Sequence, residues 1–163
     1  MNAISDLSAD IGSLSLSSRD LAKLMDAVVR RGVPFRFRAT GKSMSPIIRD
    51  HDVVTISPRA MGEPRVGQVA ACRLPKDGRL VVHRVVRRRR GQVLIKGDRV
   101  CRCDGWMPLD CLLGVVCAVE RGGRSLFWPW KGVGARFARL ALVELFGRRV
   151  LRAVRRRVKR VVA

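Results

Sequence analysis

The sequence predicts a mostly β protein: a compact antiparallel β domain with a short N-terminal helix and a basic amphipathic C-terminal helix. Short β-branched runs recur between Val33 and Glu120, separated by Gly, Pro and Asp. Such regular spacing of short strands is the pattern of a compact antiparallel domain. Apolar residues fall at helical spacing on both sides of this region.

The elements can be justified in chain order. Residues 1–16 are polar and Ser-rich and read as a mobile lead-in. Across 17–32, Ser17 or Ser18 can cap a helix, and Leu21, Leu24, Met25 and Val28 form its apolar stripe. Gly32 and Pro34 then end it. One short helix falls short of a helix-turn-helix reader, which needs a second helix and a turn. Residues 33–120 hold the strand candidates FRFRAT, DVVTISP, GQVAACRL, RLVVHRVVR, GQVLIKGD and LLGVVCAVE. From 121 to 163 comes an aromatic and basic extension. Phe127, Trp128 and Trp130 cluster around Pro129, and a helical stretch from Val133 follows. Val150, Leu151, Val154, Val158 and Val161 share one face of it, largely opposite Arg148, Arg152, Arg155 and Lys159.

Composition narrows the function. The 163 residues suffice for one domain with extensions, and 47% hydrophobic content can build a core. A formal net charge of +21 points to an anionic partner. No apolar run approaches the roughly 18–20 residues of a bilayer span. The N-terminus lacks the basic start and apolar core of an export signal, so a cytoplasmic or peripherally membrane-associated protein is expected. Five cysteines without an export signal argue against a disulfide framework. Cys101 and Cys103 form a C-x-C pair with no histidine close behind, so no metal or other cofactor is expected.

The chemistry centres on Gly41-Lys42-Ser43-Met44-Ser45-Pro46. Alone, Ser43 is a polar turn residue. Gly41 permits a tight approach and Pro46 stiffens the exit, so the turn can aim the Ser43 N–H at a bound carbonyl. A nucleophilic serine also needs a base. His83 stands in the apolar strand VVHRVV, where an imidazole is unexpected, whereas His51 lies in a polar turn. Asp98, Asp104 and Asp110 follow as acids that could orient the base. Lys42 and Lys96 offer a lysine base instead. Lys42, however, adjoins the serine, and neighbouring side chains on an extended segment point apart.

In series, these segments resemble a known superfamily. GKSMSPIIRDHDVV is similar to the nucleophile box of signal peptidases and of the SOS-type self-cleaving repressors. VGQVAAC resembles the strand that follows, VVHRVV the general-base strand, LIKGDRVCRCD the lysine-Gly-Asp segment, and LLGVVCAV the closing strand. The similarity spans roughly 34–120. Histidine rather than lysine at position 83 matches the archaeal and endoplasmic-reticulum subtype. The resemblance implies a signal-peptidase-like β domain and a serine endopeptidase that cuts a leader or signal peptide after small residues. It implies Ser43 as nucleophile, His83 as general base, Asp104 as orienting acid and Asp98 as supporting acid. Ser43 N–H and the Gly41 turn would hold the oxyanion. His51 replaces the glycine usual before Asp52, Arg99 and Val100 replace small or amide residues, and the family's N-terminal anchor has no counterpart. These departures also suit a degenerate, non-catalytic module that binds a membrane or partner.

The expected partners are a peptide or preprotein and, through residues 127–163, an anionic membrane surface. The same helix could instead pack on the β domain. Nucleic acid is disfavoured, because no recognised binding module accompanies the charge.

Overall fold

A computed structural model of the chain describes residues 16–58 and 64–126. Almost all of the polar lead-in, and the extension from 127 onward with its expected helix, lie outside the described residues. What is described is mostly β: one helix and eight antiparallel strands in one sheet.

Helix α1 spans Ser18–Val29. Ser17 is its N-cap, with an extended backbone and a side chain that accepts from the Asp20 N–H. Asp20 adds a negative charge in the first turn. The helix buries Ala22, Met25 and Val29, which share one face, while Leu24 is 45% exposed. The buried stripe is thus turned slightly from the one the largest side chains suggested. The small Ala22 lets the helix approach the sheet.

The strands are β1 (Phe35–Arg38), β2 (Val53–Pro58), β3 (Val69–Arg73), β4 (Leu80–Arg89), β5 (Gln92–Lys96), β6 (Gly105–Pro108), β7 (Leu112–Arg121) and β8 (Arg124–Leu126). A single 3-10 turn, Leu109–Cys111, joins β6 to β7. The spatial order is β1-β2-β7-β3-β4-β5-β6, with β8 paired to β7. Strands β3 to β6 form a meander, and β7 returns to lie between β2 and β3. The sequence expectation did not include β6 or β8. GWMP is bounded by turn formers and becomes a strand only by pairing with β5. Strand β8 is a three-residue return after the Gly122-Gly123 turn.

Strand β3 is buried on both faces. Val69 and Ala71 enter a cluster with Met25, Val54, Ile56, Val116 and Val119. Ala70 and Cys72 enter a second cluster with Val85, Val93, Ile95 and Met107. This double burial explains its unbroken apolar run. Gly114 of β7 sits where β2 comes close: a Cβ there would stand 2.3 Å from the Ser57 carbonyl oxygen. Among the described residues, no helix is long and apolar enough to cross a membrane.

Candidate active site

Ser43 lies in the loop between β1 and β2. Main-chain bonds close the loop at its base, from Ala39 N–H to Asp52 O (2.8 Å) and from His51 N–H to Ala39 O (2.9 Å). The Gly41 N–H donates to the Asp50 carboxylate at 2.8 Å. Met44 and Ile48 plug into the first core cluster on either side of the turn. The serine is therefore presented from a loop pinned at both ends. His51 is exposed and takes a left-handed backbone (φ 66°), the conformation that glycine adopts most readily.

A buried carboxylate braces the loop from below. Asp52, 2% exposed, accepts from Arg121 Nε at 2.9 Å and Nη2 at 2.8 Å, and from the Arg49 N–H at 2.7 Å. Arg121 Nη2 also reaches the Ile47 carbonyl at 3.2 Å. Burial works to raise the Asp52 pKa, but Arg121 and the Arg49 N–H outweigh it and hold it below the ordinary carboxylate value. A depressed folded pKa adds stability above the unfolded value of about 3.9, and that stability is lost as pH falls through the lower folded value. Arg121→Met is therefore expected to cost about 3 kcal/mol at neutral pH. That cost should shrink as pH falls and the unpaired Asp52 takes up a proton, and urea titrations from pH 7 down to pH 3 measure both effects.

His83 lies in the middle of β4 and is 7% exposed. Its Nδ1 is 2.6 Å from Asp104 Oδ2, and its Nε2 is 3.0 Å from Ser43 Oγ. Three side chains distant in sequence thus form one continuous chain of hydrogen bonds. Asp104 stands just before β6, with its N–H bonded to the Ile95 carbonyl at 3.1 Å.

Asp98 is turned elsewhere. It accepts both arms of Arg84, at 2.8 and 2.6 Å, and Arg84 Nη1 donates to the Gly67 carbonyl at 2.7 Å. Arg84 follows His83 in β4, so this nearly buried pair ties the histidine strand to the 97–100 turn. That turn donates the Arg99 N–H to the Ser43 carbonyl at 2.8 Å. Gly97 fits between them: a Cβ at this position would lie 2.9 Å from the Ser43 carbonyl oxygen and 3.1 Å from His83 Nε2.

The remaining sequence candidates lie apart from this chain. Asp110 is exposed and lines a different cavity with Asp26, Val29 and Arg30. Lys42 is exposed. Lys96 is 1% exposed, and among the described residues its Nζ has no hydrogen-bond partner. It pairs in register with Arg84, on the face opposite His83. Cys72 is buried and Cys101 exposed, and burial pushes the Cys72 thiol up. Among the described residues, no group of three or more His, Cys, Asp or Glu side chains could hold a metal ion. Arg84, Gly97 and Arg121 escaped sequence reasoning. Arginine is too common in this chain for any one to stand out, and the place of Gly97 depends on contacts made across the fold.

A serine, a histidine and an acid joined by hydrogen bonds beside one antiparallel sheet mark the class of fold: a mostly β protein with a Ser–His–Asp chain. The Peptidase S24-like family model matches residues 4–98, more than half of the chain. The chain belongs to that family, within the superfamily of signal peptidases and SOS-type self-cleaving repressors. Membership supports a serine peptidase or self-cleaving module in general. The match covers Ser43 and His83 and stops short of Asp104. No curated protein matches the chain.

Proposed function

We propose that the protein is a serine endopeptidase that removes a leader or signal peptide from a precursor by cutting after small residues. The observation that carries this reading is His83 bridging Ser43 and Asp104. With Asp104 accepting the Nδ1–H, the free Nε2 lone pair takes the Ser43 proton as Oγ attacks the peptide carbonyl. The Ser43 N–H, at the turn opened by Gly41, holds the oxyanion. His83 then passes the proton to the leaving amine. Water repeats the sequence on the acyl-serine and restores the free hydroxyl. Asp98 takes no proton; through Arg84 it sets the turn that carries Gly97.

A fluorophosphonate probe tests the reading directly. Adduct mapping on the folded chain is expected to find the phosphonyl group on Ser43. A folded sample with no Ser43 adduct would favour a binding module over a peptidase.

Gly97 sharpens the geometric demand. Gly97→Ala is expected to lower turnover about 100-fold, because a displacement near 1 Å at the reacting groups has that effect. The melting temperature should move by only a few degrees, and paired kinetic and thermal measurements separate the two.

A further inference from the structure

Helix α1 has a second role, visible in the hydrogen bonds of β4. Strands β3 and β4 pair so that Ala70 opposes His83 and Cys72 opposes Val81. Bonds at both ends of the pair, Leu74 N–H to Arg79 O and Val85 N–H to Gln68 O, set the alternation. The main-chain groups of Val81 and His83 therefore face β3, and those of Leu80 and Val82 face away from it. Pairing with β5 begins only at Arg84. Among the described residues, 80–82 thus have no strand paired to this edge beside His83.

Part of this edge is already occupied. Ser18 Oγ accepts the Leu80 N–H at 3.1 Å and donates to the Leu80 carbonyl at 3.3 Å. One hydroxyl satisfies both groups that a pairing strand would take at that position. Ser18, Leu21, Met44, Leu80 and Val82 also line a cavity of about 480 Å³ that opens onto Ser43 and His83. The residue whose carbonyl is attacked becomes bonded to Ser43 Oγ, and this cavity lies beside that atom to receive its side chain. The acyl arm behind it then runs along Val82 towards Leu80.

We propose that Ser18 sets the length of acyl arm the site can read, ending strand pairing after Val82 by standing in for substrate at Leu80. The proposal rests on the peptidase reading. It identifies the substrate class as a segment extended for two or three residues before the cut, with main-chain recognition no further upstream.

Peptidyl phosphonates with two-residue and five-residue acyl arms test it on the full chain. In the wild type, the two should label Ser43 at rates within about twofold of each other. In Ser18→Ala, the five-residue probe should gain about tenfold over the shorter one, the worth of one or two freed main-chain hydrogen bonds. Ser17→Ala weakens the helix cap without touching Leu80 and should keep the wild-type profile. The proposal is overturned if the wild type already gains tenfold with length. It is equally overturned if Ser18→Ala shows no gain, or if Ser17→Ala reproduces it. Absence of any Ser43 label in wild type and variants alike would overturn the peptidase reading and this proposal together.

Discussion

Ser43→Ala and His83→Ala are each expected to lower kcat by about five to six orders of magnitude, and the double variant should be no worse than either single. The reason is the shared proton. In the proposed mechanism Oγ attacks only as it loses hydrogen to Nε2, and the two atoms stand 3.0 Å apart. Removing either partner ends the same step, so the losses do not add. Stability separates the two variants. Ser43 is half-buried in a loop anchored by Met44 and Ile48, and trimming its hydroxyl should barely move the melting temperature. His83→Ala leaves the Asp104 carboxylate without its 2.6 Å partner and should melt lower. Cleavage of a precursor by either purified, folded variant at near wild-type rate would refute the assignment.

Asp104→Asn is expected to cost about 10⁴-fold in turnover while the fold persists. The side chains match in shape, but an amide nitrogen facing Nδ1 favours the tautomer with hydrogen on Nε2. The imidazole then donates towards Ser43 instead of accepting from it. The amide also cannot stabilise the imidazolium that forms during attack. Asp98→Asn provides the contrast. It weakens the pair with Arg84, a guanidinium 4% exposed, so the main loss should be stability. Turnover with a cleavable precursor, alongside chemical denaturation, distinguishes the two aspartates. A larger kinetic loss in Asp98→Asn than in Asp104→Asn would reverse their roles.

The strands that were legible in the sequence are those with a strong local pattern. DVVTISP and LLGVVCAVE are β-branched runs between turn formers, and both are strands. GWMP gave no such signal, because a glycine and a proline bound it and its partner lies some ten residues earlier. At the site, His83 stood out because an imidazole in an apolar strand is rare, whereas Ser43 as nucleophile and Asp104 over Asp98 and Asp110 came only from the family resemblance. Ser18 and Arg121 could not stand out. Ser18 meets Leu80, and Arg121 meets Asp52 from the far end of the domain, so only folding reveals the partners. The high positive charge compounds this: with 34 lysines and arginines, neither Arg84 nor Arg121 announces itself.

The place of β7 has a consequence in time. The strand after the Ser43 loop and the strands around His83 are joined through it, since β7 separates β2 from β3. Arg121, its last residue, also completes the brace beneath the serine loop. A ribosome releases β7 only after every residue of the Ser43–His83–Asp104 chain has been made. Until that late strand is made, the two parts lack the sheet pairing that joins them and share only loop and helix contacts, such as Arg99 N–H to the Ser43 carbonyl and Leu80 N–H to Ser18 Oγ. The Ser43 loop and the His83 strands therefore gain their full sheet support only once synthesis has passed residue 121.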